Sequence, residues 1–135
     1  MGIVLSDGHL LRRKVTHNPA FVFVQSSIHN PYFDHVFKLL QIFCTEEFEP
    51  KFQIYQNKGS YYFKTMQLPC FFPIYNLFYI NSIKVLPLNL FDILTSAGLA
   101  HWIMGDGSKQ NAGVHISIYS FSLSEAELTY SVLEK

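Results

Sequence analysis

The sequence predicts an α+β fold, with one αββαββα unit followed by the start of a second. Three observations predict it. Two apolar runs, MGIVLSDG (Met1–Gly8) and LTSAGLAHWIMGDG (Leu94–Gly107), both end on Asp-Gly. Aligned there, Asp7 falls on Asp106, Leu5 on Met104, Val4 on Ile103, Ile3 on Trp102 and Gly2 on His101, an internal repeat. Between the runs, pairs of strand-like segments joined by turn residues alternate with apolar residues at helical spacing. Composition adds the third observation. Of 135 residues, 49% are hydrophobic, 16% aromatic and 15% charged, which supports one packed core and excludes a disordered chain.

The elements follow in order. Residues 1–7 read as the last two turns of a first helix. His9–Val15 and Ala20–Ser26 read as strands joined by the turn-rich Thr16-His17-Asn18-Pro19. In the second strand, alternation puts Phe21, Phe23 and Gln25 on one face and Val22, Val24 and Ser26 on the other. Asn30-Pro31 opens a helix over Tyr32–Phe43, whose stripe of Phe33, Val36, Phe37, Leu40 and Phe43 packs on the back of a sheet. Lys51–Gln56 and Ser60–Gln67 form a second hairpin around Asn57-Lys58-Gly59. Pro69–Ile80 reads as an aromatic-rich helix, Lys84–Pro87 as a short extended piece, and Leu88–Leu94 as the lead into the second motif helix.

Leu94–Gly107 is apolar almost all the way round, so it is expected to be buried between other elements. Thr95 or Ser96 caps its start, Gly98 and Gly105 allow another backbone close, and Gly107 suits a left-handed closing residue. A strand-like segment follows, then a strand over Val114–Phe121. Ser122 or Ser124 caps a last helix with Glu125 and Glu127 in its first turn. The repeats therefore divide as 1–93 and 94–135.

One Asp-Gly alone is an ordinary turn between a helix and a strand. Two copies, each after an apolar helical run, point to a shared purpose. Asp106 stands at a helix C-terminus, where the macrodipole disfavours negative charge. If the two helices pack together, Asp7 lies beside it, and neighbouring carboxylates repel. A divalent cation would remove both objections.

These residues carry a family resemblance. LAHWIMGDGS (Leu99–Ser108) resembles the signature of the LAGLIDADG homing endonucleases in the variant LAYWxMDDG, and GIVLSDGHL (Gly2–Leu10) resembles the first motif of their two-motif members. FVFVQS (Phe21–Ser26), YYFKTMQLPCF (Tyr61–Phe71), YNLFY (Tyr75–Tyr79), IKVLP (Ile83–Pro87) and YSFSLSE (Tyr119–Glu125) fall in the family's order. The resemblance covers nearly the whole chain. It implies antiparallel sheets forming a saddle over DNA, with the motif helices between the halves. It implies a site-specific double-strand endonuclease encoded in a mobile intron. Asp7 and Asp106 would bind Mg²⁺ beside the scissile phosphates, where the metal activates water and stabilises the developing charge. Lys84 matches the family's KxxP-like segment and is assigned a catalytic role, a surface lysine being the plain alternative. Gln25 matches a strand-end Gln, as a DNA contact or a structural hydrogen bond. Three departures stand out: Gly105 replaces the first acid of DDG, His101 stands where Tyr is common, and Ala20, Val22 and Val24 occupy strand positions expected to be polar. The resemblance also places Met1 inside the first motif and Lys135 inside the second repeat, so both repeats are expected to be truncated and the chain a fragment.

Lys51, Lys58 and Lys64 are candidate DNA phosphate contacts, each with a solvated surface role as its alternative. Arg12 and Lys14 are further candidate DNA contacts and, with Lys84, the nearest basic candidates in the resemblance for polarising water or phosphate. Ten basic and ten acidic residues give no net charge, whereas nucleic-acid binders are usually basic. An RNA-gripping maturase that assists group I splicing, and an inactive remnant, therefore remain beside the endonuclease. The expected partner is double-stranded DNA at a long target site, with intron RNA as the alternative, and no membrane or small-molecule cofactor. Cys44 and Cys70 lack metal spacing, the six histidines form no constellation, and no phosphate loop or Ser-His-Asp order is present. Frequent Phe, Tyr, Ile and Asn suit an A+T-rich organellar gene, the mitochondrion ahead of the chloroplast.

Overall fold

The structure is a computed structural model that describes residues 1–134. In chain order its elements are α1 (Gly2–Leu5), β1 (Gly8–Leu11), β2 (Ala20–Ser26), α2 (Asn30–Leu40), β3 (Lys51–Tyr55), β4 (Lys58–Lys64), α3 (Phe72–Phe78), β5 (Tyr79–Ile80), β6 (Ile83–Lys84), α4 (Leu90–Ile93), α5 (Ser96–Asp106), β7 (Gly107–Gln110), β8 (Gly113–Ile116) and α6 (Leu123–Leu133). They form two compact units, one of Asp7–Tyr75 and one of Met1–Ser6 with Asn76 onward.

The first unit is an antiparallel sheet in the order β1-β2-β4-β3. Phe23 stands opposite Phe63 in the register, and α2 lays Phe33 and Val36 over them. The Phe63 ring has Phe23 at 5.9 Å, Phe33 at 5.7 Å and Phe37 at 5.2 Å. This is the expected aromatic stripe on the back of a sheet. Edge-to-face and tilted pairs of this kind add to the area they bury.

Several expected elements change. The first strand stops at Leu11, not Val15. Arg12 leaves the ladder, donating to the His17 carbonyl at 3.0 Å and to the Val15 carbonyl. Its guanidinium lies 4.7 Å from the Phe72 ring centre and 5.7 Å from that of Tyr75, so the turn is stapled by a cation–π contact. The hairpin turn falls on Gln56-Asn57, at φ 47° and 62°, one residue before the expected site. Gly59 lies in β4, where a Cβ would strike the Phe52 ring. It serves close packing, not turning. The Pro69–Ile80 helix is only α3 with a 3-10 turn before it. Tyr79–Ile80 instead reverses over Asn81-Ser82, at φ 50° and 65°, and pairs with Ile83–Lys84.

In the second unit α1 packs on α5, and a Cβ built on Gly2 would land on the Gly98 carbonyl. Thr95 caps α5, its hydroxyl accepting from the Gly98 amide at 3.0 Å. Trp102 is completely buried, with Phe121 edge-on at 6.4 Å. The expectation of burial all round fails, because Met104 is half exposed. Gly107 is extended (φ −87°, ψ 148°), not left-handed, because the chain runs straight from α5 into β7. The Val114–Phe121 strand shortens to β8, which pairs with β7. The Ser122/Glu125 capping box opens α6 as expected. Among the described residues, no helix is long and apolar enough to cross a membrane.

Candidate functional site

In the first unit, Asp7 follows α1 and precedes β1, and its carboxylate is half-buried. The Gln25 side-chain amide donates to Asp7 Oδ2 at 3.0 Å, while Gln25 Oε1 accepts from the Ser26 amide at 3.0 Å. Gln25 is therefore held at both ends of its amide, with one of its two N–H donors on the carboxylate. Strand alternation groups it with Phe21 and Phe23, away from the open face.

That open face carries the lysines. Register sets Lys64 beside Val22, Tyr62 between Val24 and Lys51, and Ser60 beside Gln53. Lys51, Gln53 and Lys58 are exposed there, and Tyr62 and Lys64 are half-buried. All three candidate lysines of β3 and β4 thus share one face with Tyr62. Tyr62 and Gln53 share this face with the lysines. Alternation from Lys51 would have found Gln53, but Tyr62 becomes relevant only through the β3–β4 register. Val22 and Val24 stand on this face, as alternation implied. Arg12 is occupied by its turn carbonyls and two rings, and Lys14 is exposed in that turn.

In the second unit, Asp106 is the last residue of α5 and its backbone carbonyl accepts from the Ser117 amide at 2.9 Å. Lys84 lies on β6, and its ammonium donates to the Ser6 carbonyl at 3.0 Å, at the end of α1. β7 and β8 put Ser108, Gln110 and His115 on one face, and Val114 and Ile116 on the other. The latter line a cleft of about 210 Å³ with Ile118, Ala126, Thr129, Tyr130 and Leu133 of the segment running through α6.

Glu125 joins two parts of this unit. Its Oε1 accepts from the Leu86 amide at 2.6 Å, and its Oε2 accepts from the Ser122 amide at 2.7 Å and the Ser122 hydroxyl at 2.8 Å. Burial would raise its pKa, but the Leu86 and Ser122 hydrogen bonds outweigh that and hold the carboxyl below its ordinary range. Burial raises the Cys44 thiol. Among the described residues, no three His, Cys, Asp or Glu side chains gather into a metal cluster.

A four-stranded antiparallel sheet backed by α2 in one unit, and a helix pair followed by a hairpin in the other, define an α+β protein. The match to a known family is complete in extent: residues 1–135 fit the LAGLIDADG DNA endonuclease family, to which the chain belongs. It is 29% identical over 140 residues to a cytochrome b mRNA maturase bI2 of Debaryomyces hansenii, covering 98% of this chain and 53% of that protein. It is 39% identical over 75 residues to an intron-encoded endonuclease ai4 of Dictyostelium discoideum, covering 55% of this chain and 47% of that one. The bI2 maturase of Saccharomyces cerevisiae is 31% identical over 99% of this chain and 35% of its own length. The chain thus spans about half or less of the length of these relatives. In structure it is similar to the homing endonuclease I-WcaI bound to its DNA recognition sequence, with TM-score 0.85 and 19% identity over 98% of this chain and 63% of that one. The LAGLIDADG fold expected from the sequence is the fold observed.

Proposed function

We propose that the chain carries the metal-binding core and one DNA-gripping sheet of a site-specific, intron-encoded DNA endonuclease. The observation that carries this reading is the α1–α5 pair, closed by backbone contact at Gly2 and Gly98 and continued on each side by an acid and a glycine. Asp7 and Asp106 would hold Mg²⁺. Carboxylate oxygens are hard donors, and Mg²⁺ accepts one or two of them while keeping waters and substrate phosphate oxygens. A bound Mg²⁺ would supply Lewis-acid stabilisation of the charge that develops on phosphate and make water a better nucleophile.

The chain's own residues do the rest. Gln25 orients the Asp7 carboxylate by its hydrogen bond. Lys84 brings a cation to the end of α1. Lys51, Lys58 and Lys64 line one sheet face and would contact phosphates, fixing register without reading sequence. Their clustering answers the objection from zero net charge, since local charge on a face is what phosphate meets. The DNA-bound state of the structurally similar homing endonuclease supports the choice of partner. The names of the cytochrome b and intron-encoded relatives support expression from an organellar intron, with the mitochondrion as the compartment.

A maturase role is favoured by one observation, that two relatives covering 98% and 99% of this chain are named mRNA maturases. One experiment separates the readings. The chain is incubated with supercoiled DNA containing the intron-free insertion site in Mg²⁺ and in Ca²⁺, and in parallel with the intron RNA. Mg²⁺-dependent cutting that Asp106→Asn abolishes supports the endonuclease. Tight RNA binding that survives Asp106→Asn, without cutting, supports the maturase and removes the nuclease assignment.

A further inference from the structure

Glu125 lies forty-one residues from Lys84 in sequence, yet the two are joined by a short run of backbone. The Leu86 amide is tied to Glu125 Oε1 at 2.6 Å, and the Val85 amide donates to the Phe78 carbonyl at 2.7 Å. One residue before that pair, the Lys84 ammonium reaches the Ser6 carbonyl, immediately ahead of Asp7. β5–β6 is only a two-residue pair on each side, too short to fix its own exit. Pro87 follows at once and donates no amide hydrogen bond. The Glu125 carboxylate is thus a tether on the free side of this segment, and its other oxygen is anchored to the start of α6 through Ser122.

We propose that Glu125 is a positioning residue for Lys84: by holding the Leu86 amide, it fixes the β6 exit so that the lysine stays on the end of α1. A cap alone would need only the Ser122 contacts. The Leu86 bond spends the second oxygen on a distant backbone. The part of the inference that concerns catalysis rests on the nuclease reading above. The part that concerns geometry does not.

The test reads the position of Lys84 directly. Amine-labelling rates of individual lysines are measured by mass spectrometry in the wild-type chain, Ser122→Ala, Glu125→Ala and Glu125→Asp. Ser122→Ala weakens the cap and leaves the Leu86 tether. Glu125→Asp keeps a carboxylate at the cap but is one carbon too short for Leu86. The expected result is a several-fold rise in Lys84 labelling in both Glu125 variants, towards the rate of exposed Lys58, with Lys58 and the Ser122→Ala protein unchanged. If Glu125→Ala fails to fold, Glu125→Asp decides. Wild-type labelling of Lys84 in a folded Glu125→Asp protein, or an equal rise in Ser122→Ala, overturns the proposal. Cutting of target DNA by Lys84→Met at the wild-type rate, with the labelling result intact, removes the catalytic role of Lys84 and leaves the tether standing.

Discussion

After Asp7, β1 and β2 join β4 and β3 in a four-stranded sheet whose back is sealed by α2. After Asp106, β7 and β8 pair with each other, and α6 lies against the hairpin across an open cleft. Both sheets begin at an Asp-Gly joint, yet Phe63 in β4 of the first is fully buried while Val114 in β8 of the second and Tyr130 of the adjoining α6 are 57% and 68% exposed. The open faces differ too. The first presents Lys51, Lys58 and Lys64 around aliphatic Val22 and Val24, and the second presents Ser108, Gln110 and His115. Lysines position a phosphate backbone, whereas Ser, Gln and His can hydrogen-bond to base edges. The comparison teaches that a repeated Asp-Gly joint fixes neither the burial nor the side chains of the strands beyond it.

The largest expected effect tests what the halves share. On the proposed metal-site reading, Asp7→Asn and Asp106→Asn should each lower Mg²⁺-dependent nicking by at least ~10²-fold, since losing a metal ligand would remove several kcal/mol of transition-state stabilisation. Nicking of supercoiled target plasmid measures it, and equal losses in both variants would make the acids equivalent despite their unequal surroundings.

Stability should divide the halves. Phe63→Ala is expected to cost about 3–5 kcal/mol, the range for a buried aromatic. Tyr130→Ala, on an exposed helix face, should stay within about 0.5 kcal/mol. Urea unfolding followed by circular dichroism compares them, and similar costs would break the contrast. The helix pair predicts an intermediate effect. Gly2→Ala drives a methyl into the Gly98 carbonyl and should cost about 1–3 kcal/mol, whereas a methyl on Gly98 meets Thr95 and Leu94 at 3.3 and 3.4 Å and the Gly2 nitrogen at 3.8 Å, so Gly98→Ala should cost less.

Two smaller effects follow. Glu125 has a lowered folded-state pKa, so its contribution is present above the ordinary carboxylate pKa and is lost as pH falls through the folded value. Thermal melts of wild-type protein should therefore fall more steeply than those of Glu125→Gln in the acid range below about 4.5. Last, Lys58→Gln should weaken DNA binding evenly across sequences and reduce the salt slope by about 1, whereas Gln110→Ala should change sequence preference. Filter binding at several salt concentrations distinguishes the two.

Much of the candidate site rests on local sequence pattern. A repeated Asp-Gly after an apolar helical run marks two helix ends regardless of what surrounds them. The α2 stripe and the Ser122 cap are likewise short-range patterns. The strand lengths were not legible, because Arg12 ends β1 through rings supplied by Phe72 and Tyr75, some sixty residues on. The β5–β6 reversal was missed because its left-handed pair is Asn81-Ser82, with no glycine to mark it.

The sequence by itself determined the family, the Asp-Gly that follows each of two apolar helical runs, and the alternation that groups Phe21, Phe23 and Gln25 on one face of β2. These are set by nearest-neighbour spacing, which survives without knowledge of partners. Only the tertiary structure decided that Gln25 spends its amide on Asp7, that Lys84 reaches the end of α1 and that Glu125 holds the Leu86 amide. Each of these joins residues far apart in the chain, and which donor finds which acceptor is settled by how packed elements bring them within 3 Å.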